Sequence, residues 1–424
     1  MIAMRLQIVF KKSIYFILLS SVLLLSGCLK DKFTRTYTLL YPVYATKSEV
    51  LASINSEPIS TVKNPGKFYL YGKYIFLNEI DKGVHVIDNS NPSKPKPVAF
   101  LKIPGNLDIA VRGSIMYADM YGDLLTLDIS NPTKASLKKL VPDVFPQRVF
   151  ANGYQPEAGK VIVDWIRKDT TVDVEKTNPN ILWFGCATCN FALANASDNK
   201  TSGSVPGIAG SMARMSIVGD YLYAVNHSDL ISINIVNPSS PQTEQTQSVG
   251  WNIETIFPFK DKLFIGSASG MFIFSIGNPA QPLLEGSFSH ARACDPVVAD
   301  DNYAYVTLRS GTFCEGFNNQ LDIVDVANVS APKLVRTYSM TNPHGLAKDG
   351  NLLFLCDGAD GLKIYDVSSV NNIKLLHHLK NIETYDAIAW NKNLMVVCKD
   401  GLIQIDYSDI KNIRQISKIN VSRD

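Results

Sequence analysis

The sequence predicts an all-β propeller built from four-stranded blades. Three observations carry this. One strand-and-turn unit recurs along the chain, each unit resolves into four short strands, and no segment sustains a helical period. Eight blades are expected, with seven as the alternative because the third unit is irregular.

The recurring unit is a short apolar strand that ends in Asp or a small polar residue, followed by a turn rich in Ser, Asn and Pro. It reads GVHVIDNSNPSKPKP from Gly83 and GDLLTLDISNPTKAS from Gly122. Later copies are DLISINIVNPSSPQ from Asp229, GMFIFSIGNPAQP from Gly270 and QLDIVDVANVSAPK from Gln320. The last two are GLKIYDVSSVNNIK from Gly361 and GLIQIDYSDIKNIR from Gly401. The aligned polar position falls at Asp88, Asp128, Asn234, Ser275, Asp325, Asp366 and Asp406. Neighbours lie about 40 to 50 residues apart, the spacing of propeller blades, except across one gap of about 106. That gap holds a degraded copy, KVIVDWIRKDTTVDVEK from Lys160, read as two apolar runs around a polar turn, and then an irregular insertion at about 177–210.

Within a unit the four strands are short apolar runs with Gly, Asn, Asp or Pro between them. In the seventh unit they are HGLAK, NLLFLCD, GLKIYDV and IKLLHHLK. One such sheet cannot bury both faces, whereas a closed ring of them does. The Asp-x-Ser-Asn-Pro turn is explained by turn chemistry. Asp and Asn side chains cap tight turns, and Pro fixes φ and ends the strand. No loop gathers the carboxylates that a calcium site needs.

Composition sets outer limits. The 424 residues carry a formal net charge of +2 and are 46% hydrophobic. There is no basic stripe, so a nucleic-acid partner is excluded. The first residues are an address. Arg5, Lys11 and Lys12 precede an apolar run from Ile14 to Leu25, which ends in Leu25-Ser26-Gly27-Cys28. This is the layout of a signal peptide over 1–27. Residues 28–63 follow as an N-terminal linker, and 64–424 as a single propeller domain.

The sequence LSGC resembles a bacterial lipobox. The resemblance implies cleavage before Cys28 and acyl chains on that residue, a stable membrane anchor. Leu29 after the cysteine resembles the outer-membrane sorting pattern. KDKF faintly resembles a surface-export signal, and the choice between periplasmic and surface orientation stays open. The strings LDIVDV, VHVIDNSNP, LLTLDISNP and LKIYDVS are similar to the LVIVD repeat, and the whole arrangement looks like LVIVD lipoproteins of Gram-negative bacteria. That family implies a propeller in the cell envelope and brings no activity, substrate or catalytic residue with it.

In a propeller the first strand of each blade lines the central channel. Counting back from the second strands places Lys67, Asp108, Arg148, Arg214, Glu254, Asp295, His344 and Asp386 at the start of those first strands. All eight are ionisable types in a chain that is 19% charged. They define a mixed-charge channel mouth, with Asp108, Arg214, Glu254, Asp295, His344 and Asp386 as candidate binding residues. The plainer alternative is a solvated lining whose opposite charges offset each other.

Export permits disulfides. Cys294 and Cys314 fall on the same face of one blade, and a bridge closing their loop of roughly 20 residues adds about 3 kcal/mol. Cys186 and Cys189 form a C-x-x-C in the insertion, read as a local disulfide; no second pair completes a zinc site. Cys356 and Cys398 end second strands as small buried hydrophobes. No H-E-x-x-H, G-x-S-x-G or phosphate-binding loop occurs. If a catalytic set exists, Asp295, His344 and Asp386 on successive blades are its best candidates. The expected function is therefore a non-catalytic, lipid-anchored binding scaffold at the outer membrane. It is expected to be a monomer without cofactor or metal, held to the membrane through Cys28 and facing a protein or glycan partner. The alternative is an envelope enzyme, of hydrolase or lyase type, with its site at the mouth.

Overall fold

The first unit shows how the repeat makes a blade. Strands Pro65–Tyr71, Tyr74–Glu79, Gly83–Asp88 and Lys96–Lys102 pair antiparallel in chain order. This is a computed structural model, and it describes residues 34–145, 150, 156–173, 208–290, 296–310 and 318–422. Among them are seven such blades, the others spanning 109–141, 215–248, 253–289, 297–339, 346–379 and 384–420. They are numbered 1 to 7 in chain order.

The recurring glycine has a steric cause. At Gly83, Gly270, Gly361 and Gly401, the start of the third strand, an added Cβ would lie 1.9–2.5 Å from a carbonyl oxygen of the fourth strand. No side chain fits there. Three residues further on, each third-strand position faces one large second-strand residue. These are Phe76, Tyr117, Tyr223, Phe264, Tyr305 and Phe354, with Met395 in blade 7. All seven are buried. They are the wedges between blades, and burial of such rings dominates the stability of the ring.

The turn residues also behave as turn chemistry predicts. In all seven blades the aligned side chain accepts the backbone N–H two residues on. The series runs from Ser90 N to Asp88 Oδ1 (2.9 Å) to Ser408 N to Asp406 Oδ1 (3.0 Å), with Asn234 and Ser275 doing the same work in blades 3 and 4. Turn carbonyls accept from the preceding blade: Tyr117 from blade 2 reaches Pro238 O, Tyr223 reaches Pro279 O, and Tyr338 reaches Val370 O. The signature of the repeat is therefore spent on folding.

The ring passes directly from blade 2 to blade 3, whose first strands Ile109–Arg112 and Met215–Val218 lie side by side. Arg112 of blade 2 pairs with Asp220 of blade 3. Thus seven blades close the ring, and the unit from Lys160 is not one of them. Lys160–Asp173 is one continuous 14-residue strand, paired with Thr34–Thr46 in a separate two-stranded sheet. The polar stretch read as its turn, Arg167-Lys168-Asp169, contains no Gly, Pro or Asn, so nothing breaks the strand. Blades 7 and 1 join through a parallel bridge between Val62 and Val421 and a reciprocal amide pair. In that pair Gln404 Nε2 donates to Asn89 Oδ1 (2.7 Å) and Asn89 Nδ2 to Gln404 Oε1 (3.0 Å).

The chain divides into two compact units, residues 1–43 with 164–187 and residues 44–163 with 188–424. The second contains the ring. In the first, Thr38 Oγ1 donates to Asp169 Oδ1 (2.7 Å) across the two-stranded sheet.

Candidate functional site

The residues predicted at the channel mouth begin the innermost strands, as the register requires. Lys67 is the third residue of Pro65–Tyr71, Glu254 the second of Ile253–Phe259 and Asp386 the third of Thr384–Trp390. Asp108, Arg214 and His344 precede the innermost strands of blades 2, 3 and 6 by one or two residues. Register shifts between Pro65 and Phe68, Ile253 and Thr255, and Thr384 and Asp386 mark three of these places. Such bulges re-aim side chains at the rim of a sheet. Arg148 and Asp295 lie outside the described residues, as do Cys28, Cys186, Cys189, Cys294 and Cys314. Cys356 and Cys398 are free thiols, both buried.

The channel is not open. Residues 208–214 cross it. Ile208–Ala209 adds a strand to the inner edge of blade 1, against Leu70 and Tyr69. Ser211 Oγ accepts from Leu346 N of blade 6 (3.0 Å), Ala213 O from Ile256 N of blade 4 (2.7 Å), and Arg214 N donates to Asp108 Oδ2 of blade 2 (2.5 Å). Four blades thus hold one short segment, whose Ile208, Ser211, Met212 and Ala213 are buried. It floors the mouth. The small residues Ala209, Gly210, Ser211 and Ala213 allow a chain to pass where larger side chains would not. That composition is the signal by which the sequence could have announced the plug.

On this floor the charges are tied to one another. Lys67 Nζ donates to Asp108 Oδ2 (2.6 Å), with both side chains buried. Burial pushes the Lys67 ammonium below its ordinary value despite the nearby carboxylate of Asp108. The same Asp108 also accepts from Ile109 N (2.8 Å). One carboxylate therefore joins blades 1, 2 and 3.

Across the mouth, burial raises the Glu254 carboxyl above its usual range, opposed by Arg214, Arg309 and Lys67. Burial lowers the Arg309 guanidinium, opposed by Glu254. Arg309 Nη1 donates to the His344 imidazole, 2.7 Å from Nδ1 and 3.0 Å from Nε2. Burial and then the charge of Arg309 hold His344 well below 6.5, so it stays neutral at neutral pH. The ring of Tyr385 packs edge-on to it at 5.4 Å, and Thr307 Oγ1 donates to its carbonyl (2.7 Å). Arg309 follows the second strand of blade 5 and is the mouth residue that counting first strands does not reach.

Asp386 is fully buried against blade 6. A Cβ on Gly345 would lie 2.0 Å from its Oδ1, so only glycine lets the two blades meet there. It is thus part of the wall rather than of the exposed mouth. Chemically the mouth offers two guanidinium groups, a carboxyl with a raised pKa and a neutral imidazole over a closed floor. Its Lys67–Asp108 pair is already satisfied.

Comparison with known proteins agrees with this architecture. No curated protein sequence matches the chain. Among solved structures, Sqt1 of Saccharomyces cerevisiae superposes with a TM-score of 0.50 at 9% identity, over 90% of this chain and 88% of that one. The computationally designed Ika8 protein superposes with a TM-score of 0.51 at 9% identity, over 87% and 89%. At such identity the likeness is one of fold alone. The LVIVD repeat matches residues 67–99, 107–143, 209–246 and 291–340, which fall on blades 1, 2, 3 and 5. The chain is a seven-bladed propeller that carries LVIVD repeats.

Proposed function

We propose that this chain is a non-catalytic, lipid-anchored propeller of the cell envelope, at the outer membrane, whose channel mouth is an interaction surface. The observation that carries the reading is the plug. Residues 208–213 bond to the innermost strands of blades 1, 4 and 6 and so lie across the channel beneath the mouth. Lys67 with Asp108 and Arg309 with His344 are held to each other across blades, which suits recognition by a preorganised surface. The signal-peptide layout and LSGC at Leu25–Cys28 support the location. A Cys294–Cys314 disulfide belongs to the same reading, and peptide mapping without reductant tests it.

The test uses the full chain in its own cells. A photo-crosslinker replaces Glu254 or Arg309 at the mouth, with Lys392 on the opposite face as control. One adduct shared by both mouth positions and absent at Lys392 is the expected result. Fatty-acid labelling that vanishes in Cys28→Ala tests the anchor. Turnover of an envelope substrate that is abolished by His344→Ala while the adduct persists would overturn the scaffold in favour of the enzyme.

A further inference from the structure

The mouth leaves hydrogen-bond donors that the fold does not use. Among the described residues the Arg214 side chain makes no hydrogen bond, although its Nε is buried. Arg309 uses Nη1 alone, on His344. Glu254 lies within the field of Arg214, Arg309 and Lys67 and is an acceptor among them. Buried polar atoms normally find partners, so an unpaired one calls for an explanation. An anion would compete with Glu254 for the same two guanidinium groups. A hydroxyl can accept from them and donate to Glu254 at once.

An exposed indole leads into the strand that carries Glu254. Trp251 lies in the connection from blade 3 to blade 4, three residues before Glu254, and is 52% exposed. Among the described residues it is the one exposed large apolar side chain in a connection between blades. The others lie on fourth strands, in the turn of blade 3, ahead of blade 1 or in the two-stranded sheet. The backbone fixes its position. Val249 N donates to Ser228 O (2.9 Å), Ile253 N to His227 O (3.0 Å) and Ala268 N to Asn252 O (3.0 Å). The connection is thus bonded on both sides to turns between second and third strands, on the mouth face. The His227 turn is itself closed by Asn226 Oδ1, which accepts from Ser228 N and Asp229 N, both at 2.8 Å. His227 packs edge-on to the indole, with ring centroids 6.4 Å apart, and half of the side chain still faces solvent.

We infer that the mouth binds a neutral oligosaccharide, one sugar ring lying on Trp251 and the hydroxyls of its neighbours meeting Glu254, Arg214 and Arg309. A pyranose matches this arrangement. It has an apolar C–H face for the indole and a rim of hydroxyls that both donate and accept. One aromatic platform with a few fixed polar groups is the composition of a small-ligand site. A protein partner fits less well, because protein interfaces have an apolar core, whereas the connections of this face expose a single indole beside charged groups. The inference rests on the reading of the mouth as an interaction surface and names the class of ligand.

The experiment measures retention on the immobilised full chain. Oligosaccharides released from the envelopes of its own cells are first separated into neutral and acidic fractions. The parent and Trp251→Tyr are expected to retain the neutral fraction at low and high salt alike, since a neutral ligand offers no charge to screen. Trp251→Ala should retain at least about 10-fold less with an unchanged melting curve, as truncating an aromatic anchor does. Glu254→Ala should also retain less, and Trp390→Phe, on the opposite face, should not. Retention of the acidic fraction alone overturns the inference. So does equal retention by the parent and Trp251→Ala, or retention of neither fraction. The photo-crosslink at Glu254 and Arg309 separates this failure from that of the wider reading. A shared adduct that protease removes, with no sugar retained, gives the mouth to a protein and keeps the interaction surface. Absence of both adduct and sugar defeats the two together.

Discussion

Replacing Asp108 removes the one carboxylate that ties three blades together. It accepts from Lys67 Nζ at 2.6 Å, from Arg214 N at 2.5 Å and from Ile109 N at 2.8 Å. Asp108→Ala leaves a buried ammonium without its counter-charge, a change that costs about 3–5 kcal/mol. It also strands two backbone N–H groups, at about 1–3 kcal/mol each where water cannot reach them. These terms overlap, so the expected loss is about 5 kcal/mol. Asp108→Asn keeps one oxygen, enough for Ile109 N or for Arg214 N but not both, and turns an NH2 towards the other donor while losing the charge, so about 3–5 kcal/mol is expected. Burial already outweighs the pull of Asp108 on Lys67, since the ammonium is pushed below its ordinary value. The double change Lys67→Met with Asp108→Asn should therefore cost less than Asp108→Asn alone.

Denaturant titration followed by near-ultraviolet circular dichroism measures these differences. A second readout is local. Asp108 Oδ2 holds the backbone of Arg214 at the end of the plug, so Asp108→Asn should open the Arg214–Met215 bond to trypsin before global unfolding. The reasoning is refuted if Asp108→Asn costs less than about 1 kcal/mol and the double change is simply additive, for independent sites add.

Three further outcomes follow from the same geometry. Gln404→Ala breaks the reciprocal amide pair with Asn89 at the ring closure and the bond from Asn393 Nδ2 (2.6 Å); three bonds at about 1 kcal/mol each predict a loss of about 3 kcal/mol, read by thermal melting, and Asn89→Ala in the same chain should add little. Gly345→Ala puts a Cβ 2.0 Å from Asp386 Oδ1, and the forced shift should cost at least about 1–3 kcal/mol, whereas Gly350→Ala, with nothing within 4 Å, carries only the strain of its φ of 56°. His344 ionises in the unfolded chain near 6.5 but well below that in the fold, so its contribution to stability is complete above 6.5 and declines as pH falls below it; imidazole NMR should show a ring still neutral at pH values where a free imidazole is protonated, and protonation near its ordinary value would disprove the burial argument.

How much of this could be read in the sequence is uneven, for physical reasons. Strand register was legible because the repeat fixes it. Counting back from second strands placed Lys67, Asp108, Arg214, Glu254, His344 and Asp386 at or beside the starts of innermost strands. Their environment was not legible, because it depends on a segment remote in sequence. Residues 208–213 carry only a run of small residues as a mark, which does not say where they pack, yet they lie across the channel against four blades. Arg309 was also hidden, since its approach to His344 is a contact between the end of one strand and the start of another 35 residues away. Blade number failed to follow unit number for a different reason. Apolar residues at Val161, Ile162 and Val163 resemble a blade strand, but without turn residues the backbone continues straight through Asp173.

The missing blade also explains where the charges went. A ring of seven must bring blades 2 and 3 together across a break of some seventy residues in the chain, without a covalent connection of ordinary blade length. The junction combines a shared apolar core with polar contacts: Arg112 with Asp220, Tyr117 with Pro238 O, and Asp108 with the backbone of Arg214. Lys67, Asp108 and Arg214 are therefore structural ties at a junction, and mutations there should act on stability first. Glu254, Arg309 and His344 sit on the other side of the mouth, between blades 4, 5 and 6, where consecutive strands already hold the ring. A binding role for the mouth is best sought on that side, and variants that spare folding while altering recognition should cluster at Glu254 and Arg309.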